Sequence, residues 1–243
     1  MILFVTSSPF VDGAERAIFS NANGFLDRIR EALPPFPRCL FVCSDPERRD
    51  LTCRFGADVF SAFAEAGMPF SGYSVLDAFN AEDAAFLVEN SDLIVLAGGH
   101  VPTQNTFFQE IGLREILEGY PGVVMGISAG SMNCADTVYV QPEEEGESAP
   151  EFERFAPGLG LTEVNILPHY QKVKDNILDN LRLFEDITYA DSMGNTFFAL
   201  PDGSYFYQDE EHLLLFGKAY RLQDGILELL TEDGECLDMA ELE

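Results

Sequence analysis

The chain has 243 residues, 47% of them hydrophobic with 21 Phe and 8 Tyr, enough for one large α/β domain over 1–243 and short for two. Its 42 acidic residues against 14 basic give a formal net charge of −28, a field that repels phosphate backbones and anionic lipid and argues against nucleic-acid and membrane partners. No run approaches the ~20 apolar residues of a membrane span, and the N-terminus lacks a basic segment ahead of a long apolar stretch. A cytoplasmic protein is expected.

Apolar runs bounded by turn residues recur at 2–6, 39–43, 93–97, 123–127 and 164–167 and read as strands. Helix-like segments lie between them at 14–33, 57–66, 81–89 and 106–118. The first of these places Ile18, Phe25, Ile29 and Leu33 on a roughly helical stripe. The alternation predicts βαβ units in an α/β fold, a mostly parallel sheet flanked by helices. Residues 141–153 contain Pro142-Glu143-Glu144-Glu145-Gly146-Glu147-Ser148 and read as an exposed, solvated loop, a lid being the other use of such a segment. Residues 173–187 predict an amphipathic helix with Val173, Ile177, Leu181 and Phe184 on one face. After it, short strands at 196–200, 204–207, 212–216, 218–222 and 226–229 are separated by turns such as Pro201-Asp202-Gly203 and Gln223-Asp224-Gly225. They predict an antiparallel C-terminal edge. The five cysteines (Cys39, Cys43, Cys53, Cys134, Cys236) are irregularly spaced without a CxxC, and read as buried free thiols in a reducing compartment.

The richest stretch is Gly122-Val123-Val124-Met125-Gly126-Ile127-Ser128-Ala129-Gly130-Ser131, an apolar run ending in Gly-x-Ser-x-Gly. In a nucleophile elbow a buried strand runs into a helix, and small residues two before and two after the corner let the turn close. Ser128 is then the candidate nucleophile, and the Ala129 N–H a candidate oxyanion donor. A plain strand-to-helix turn is the competing reading.

A serine nucleophile needs a base, usually histidine, and the chain has three. His212 sits among acidic neighbours at the start of a surface strand and reads as solvated. His100, after Gly98-Gly99, and His169, after Pro168, both follow apparent strands, where open α/β sheets carry their sites. Position alone leaves both open. Asp202, at a strand end, is a candidate orienting carboxylate, although Asp-Gly after Pro also simply makes a turn.

These motifs occur in one order: Gly98-Gly99 with Asn105-Thr106-Phe107, the elbow followed by Asn133, Pro168-His169-Tyr170, and Leu200-Pro201-Asp202-Gly203. That order resembles the S51 serine peptidases, the family of aspartyl dipeptidase (peptidase E) and cyanophycinase, over roughly residues 1–210. The resemblance implies a fold like that of class I glutamine amidotransferases. It implies Ser128 as nucleophile, His169 as base, Asp202 as the orienting carboxylate, and an oxyanion hole from Ala129 and the Gly98-Gly99 turn through Gly99. Ser…His…Asp differs from the Ser…Asp…His order of α/β-hydrolases.

The chain departs from the family's Gly-Gly-Gly-Asn-Thr by inserting His100-Val101-Pro102-Thr103-Gln104 ahead of Asn105-Thr106. The insertion lies beside the expected pocket, which puts Gly98, His100 and Asn105 among the candidate substrate contacts. An N-terminal aspartate would need a cation, for which Arg182, Lys172 and Lys174 are the candidates, a solvated helix face being the other reading of the lysines. The expected function is hydrolysis of a small peptide, N-terminal Asp dipeptides among the options, with no cofactor and no metal, since no HExxH or CxxC is present. The alternative is a catalytically silent binding or regulatory protein on the same scaffold. A homodimer is left open.

Overall fold

The computed structural model describes residues 1–242. Five parallel strands form its centre: β1 (Ile2–Thr6), β2 (Arg38–Val42), β3 (Gly72–Leu76), β4 (Leu93–Leu96) and β5 (Val123–Ile127). They lie in the order β1-β5-β4-β2-β3. Every residue of β4 and β5 is buried, because helices cover both faces, and this is why those strands read as unbroken apolar runs. Successive side chains alternate between two cores. Leu3, Val5, Leu40, Val42, Ile94 and Val124 enter one, while Phe4, Cys39, Phe41, Val95, Met125 and Ile127 enter the other.

The covering helices are α1 (Phe25–Ala32), α2 (Arg49–Glu65), α3 (Ala84–Glu89), α4 (Val101–Glu110) and α5 (Leu113–Leu117); α6 (Ala129–Met132) is a single turn after β5. The helix expected over 14–33 is confined to Phe25–Ala32. Asn23 and Gly24 sit at φ 54° and 74°, a left-handed pair that cannot continue a helix backwards into 14–22. The helix expected at 57–66 starts earlier, at Arg49, and that at 106–118 is two helices broken at Gly112, which has φ 64°.

Past β5 come β6 (Thr137–Tyr139), β7 (Phe155–Pro157), β8 (Ile166–Leu167), α7 (Tyr170–Val173), β9 (Ile177–Leu178), β10 (Leu181–Arg182), a π-helical turn (Leu183–Thr188) and α8 (Tyr189–Asp191). The chain ends with β11 (Thr196–Ala199), β12 (Tyr205–Gln208), β13 (Leu213–Phe216), β14 (Ala219–Gln223), β15 (Ile226–Thr231) and β16 (Cys236–Asp238). The antiparallel edge is present as β12, β13 and β16 added beyond β1, giving eight strands. The other C-terminal strands join β8 in a second sheet ordered β15-β14-β11-β8.

The amphipathic helix expected over 173–187 does not form. Asp179 and Asn180 have φ 50° and 66°, a two-residue turn that folds β9 onto β10 as a hairpin. Consecutive positive-φ residues suit a hairpin turn and break a helix, and Asp and Asn tolerate them. No helix among the described residues is long and apolar enough to cross a membrane. All five cysteines are free, but only Cys39, Cys43 and Cys134 are buried; Cys53 and Cys236 are exposed.

Candidate active site

The elbow forms where β5 meets α6. Ser128 takes φ 50°, ψ −111°, a conformation rarely tolerated by a residue with a Cβ. Its N–H is held 3.1 Å from both Thr6 O and Ser7 O. Two glycines are obligatory here for steric reasons. A Cβ on Gly126 would lie 2.6 Å from Ser131 Cα, and one on Gly130 would lie 2.3 Å from Leu96 O. Ser131 locks the corner to β1: its Oγ accepts from Thr6 N and donates to Thr6 O, both at 2.8 Å and both buried.

His169 follows β8 and is itself left-handed, at φ 56°, ψ 28°. Its Nε2 lies 3.0 Å from Ser128 Oγ, and its Nδ1 lies 2.6 Å from Asp202 Oδ1. Asp202 follows β11, which runs parallel to β8, and this pairing sets the two side by side. The structure therefore brings Ser128, His169 and Asp202 into one hydrogen-bonded row at the C-terminal ends of strands from two sheets.

Ser7 and Gln171, assigned no role from the sequence, brace the row together with Lys172, which was expected to meet substrate. Ser7 Oγ accepts from His169 N at 2.7 Å and donates to Asp202 Oδ1 at 3.1 Å. Gln171 donates to Asp202 Oδ2 at 2.7 Å, and its own carbonyl accepts from Asp202 N. Lys172 Nζ lies 2.8 Å from Asp202 Oδ2 and 2.6 Å from Asp12 Oδ1. Burial alone would raise the Asp202 carboxyl, but hydrogen bonds from His169, Lys172 and Gln171 outweigh it and hold the group well below the usual carboxylate range. Position in the sequence, immediately after His169-Tyr170, was the only signal available for Gln171, and Lys172 was marked only as a cation for substrate.

A cavity of about 180 Å³ opens in front of the row. Gly99 and Ala129 line it with Ser128 and His169, and neither amide donates to an acceptor among the described residues. Met132, Val173, Ile177 and Leu183 give it an apolar wall, and Gln141, Pro142 and Glu143 reach it from the acidic segment. That segment was expected to be solvated, and its first residues instead form part of the pocket. A Cβ on Gly99 would lie 2.4 Å from Ser44 Cβ, so glycine is required where the chain passes the pocket. Gly98 does not line the cavity but packs behind it, 3.5 Å from the Ser128 Cβ at its own Cβ position. α6 is one turn long, so the contribution of this corner is the Ala129 amide itself rather than an extended helix dipole.

Three expected substrate contacts lie elsewhere. Asn105 is buried within α4 and donates to Asn133 Oδ1 and Pro157 O, each at 2.9 Å. Asn133 donates in turn to Gln104, which donates to Cys43 O and Ala97 O. The expected insertion is thus the first turn of a helix, and its amides form a satisfied internal network. His100 stands just before that helix, with Nδ1 2.8 Å from Thr103 Oγ1 and Nε2 2.8 Å from Glu147 Oε1. Arg182 is exposed on β10 and clasps Asp186, while Lys174 lies 4.0 Å from Asp175. None of the three expected cations lines the cavity.

His100, Glu144 and Glu147 bring donor atoms within 4.8 Å of one another, the one grouping among the described residues with metal-like spacing. Its Glu147 carboxylate is already occupied by His100 and by the backbone N–H groups of Glu143 and Glu144.

Comparison with known proteins bears on the family and the fold. Residues 37–216 match the model of peptidase family S51. The fold is similar to the crystal structure of a "putative peptidase E protein" from Listeria monocytogenes EGD-e, with TM-score 0.59, 15% identity, and coverage of 95% of this chain and 98% of that one. Comparison with curated proteins finds no match. The family match spans most of the chain: the protein belongs to peptidase family S51, a family of serine-type peptidases.

Proposed function

We propose that the protein hydrolyses short peptides through an acyl-enzyme on Ser128. The reading rests on one observation above all, the continuous row Asp202–His169–Ser128 at 2.6 and 3.0 Å. Asp202 accepts a hydrogen bond from the Nδ1–H of His169, which leaves Nε2 free to take the Ser128 hydroxyl proton. Ser128 Oγ attacks the scissile carbonyl carbon as that proton passes to His169, and the oxyanion is held by the N–H groups of Gly99 and Ala129. His169 then gives the proton to the departing amine, and the C–N bond breaks. A water molecule, deprotonated by His169, attacks the ester; the acid leaves and Ser128 recovers its proton.

The brace on Asp202 has a specific use in this cycle. Its ionised carboxylate fixes the imidazole tautomer and stabilises the imidazolium that forms when Ser128 loses its proton. The strained elbow serves the same step. It lifts Oγ out of the sheet toward the cavity, and the two glycines let it do so. The small cavity favours a short acyl segment over a folded protein.

The test is a peptide library digested by wild type, Ser128→Ala and His169→Ala. Cleavage by wild type that falls by several orders of magnitude in both variants supports the reading. Cleavage undiminished in Ser128→Ala contradicts it.

A further inference from the structure

Glu143 stands apart from the machinery described above. It and His169 are the only ionisable side chains lining the cavity among the described residues, and no lysine or arginine reaches it. Its carboxylate makes no hydrogen bond or ion pair among the described residues; only its backbone N–H is engaged, donating to Glu147 Oε2 at 2.8 Å. The residue is exposed in the free protein, and the protein flanking its carboxylate still desolvates it enough to push its pKa up. An unpaired carboxylate at the wall of a mostly apolar pocket is free to accept from a donor that a ligand brings.

The segment that carries Glu143 is fastened in place. Glu147 accepts from the N–H groups of Glu143 and Glu144 and from His100. Asp179, in the turn between β9 and β10, accepts from Gly146 N at 2.9 Å and from Ser148 Oγ at 2.6 Å. Arg154 donates to the carbonyls of Glu147 and Ser148. These ties run to three separate parts of the fold, so the carboxylate is presented by an ordered strap rather than a loose loop.

The complementary group is therefore positive. An acidic substituent in this cavity would meet Glu143 with no cation to offset it, inside a molecule of formal charge −28. The candidates for binding an acid are already neutralised: Lys172 by Asp12 and Asp202, Arg182 by Asp186, and Lys174 beside Asp175.

We propose that Glu143 is a specificity-determining residue that selects peptides carrying a cationic nitrogen next to the scissile bond, and that the site disfavours N-terminal aspartate. The proposal rests on the reading of this cavity as the peptidase site. Two sources supply such a nitrogen, a free α-ammonium group and a lysine or arginine side chain, and both would donate to the Glu143 carboxylate.

Binding to Ser128→Ala protein tests this without turnover, by calorimetry with Gly-Gly, Arg-Gly, Asp-Gly and their Nα-acetyl forms. Binding of Gly-Gly that is lost on acetylation identifies the α-ammonium; binding of acetyl-Arg-Gly but not acetyl-Gly-Gly identifies the side chain. In either case adding Glu143→Gln should weaken the cationic ligand roughly tenfold, the low end for a charge-assisted hydrogen bond at a solvated rim, and leave ligands without the recognised cationic nitrogen unchanged. Asp-Gly bound as well as Arg-Gly and Gly-Gly, no binding by any cationic peptide, or an equal effect of Glu143→Gln on all ligands overturns the proposal. Its failure is separable from that of the catalytic reading, which falls only if Ser128→Ala retains wild-type cleavage of the peptide library.

Discussion

Replacing Ser128 by glycine and by alanine separates the backbone strain of the elbow from its chemistry. Both variants lack the hydroxyl, so both lose the 3.0 Å contact to His169 and, on our mechanism, the activity. They differ in the Cβ. At φ 50°, ψ −111° alanine keeps the strain and glycine relieves it. Strain of this kind costs about 1–3 kcal/mol, whereas glycine costs roughly 0.5–1 kcal/mol through the freedom it gives the unfolded chain. The balance makes Ser128→Gly more stable than Ser128→Ala by about 1 kcal/mol, and for a chain of this size that is roughly 2–4 °C in Tm. Urea denaturation of the two proteins side by side, with thermal melts as a second reading, measures the difference. If Ser128→Gly is the less stable by the ordinary glycine penalty, the elbow carries no strain and the account of its geometry fails.

Other perturbations follow from the same contacts. Gly130→Ala places a methyl against Leu96 O, a strand carbonyl that cannot move aside, and should cost about 1–3 kcal/mol and abolish peptide cleavage; denaturation and activity assays together would expose an error here. Asn105→Ala strips a donor from buried Asn133 and from Pro157 O and should lower stability by about 1–3 kcal/mol, while the relative kcat/KM among different peptides stays as in wild type; a changed preference would return Asn105 to the pocket. Asp202 is more acidic in the fold than in the unfolded chain, so on acidification the unfolded chain takes up the proton first. Its stabilising contribution is complete above the unfolded value of about 3.9 and is lost as pH falls toward the lower folded value. The stability of wild type relative to Asp202→Asn should therefore be constant above about pH 5 and decline below it; a gap that widens on acidification would reverse the sign argued here.

The parallel strands were legible because burial on both faces leaves a continuous apolar run, as in residues 123–127 and 93–97. β3 was missed because it is an edge strand whose first residues, Gly72 and Tyr73, are exposed. The 173–187 segment misled because apolar residues every three or four positions suit a helix, while Asp179-Asn180 is also a hairpin turn. Tertiary ties from Asp179 to Gly146 and Ser148 favour the second. At the site, Ser128 was marked by its flanking glycines, which the steric contacts of Gly126 and Gly130 explain. His169 and Asp202 were chosen by motif order, since nothing local shows that β8 and β11 pair. Ser7 and Glu143 gave no signal at all. One lies just past the first strand, far ahead of the elbow in the chain, and the other lies in a charge run that reads as a solvated loop or a lid without marking any one residue. Long-range contacts bring Ser7 to His169 and Asp202, and Glu143 to the cavity wall.

The central claim is that Ser128 is a nucleophile activated by His169. The most direct measurement is intact and peptide-level mass spectrometry after exposure to a small fluorophosphonate near neutral pH. The account predicts a single adduct on Ser128, absent in Ser128→Ala and formed at least a hundredfold more slowly in His169→Ala, a size in keeping with general-base assistance of roughly 10²–10⁴-fold. An adduct on another residue, or labelling of Ser128 at the same rate without His169, would contradict it.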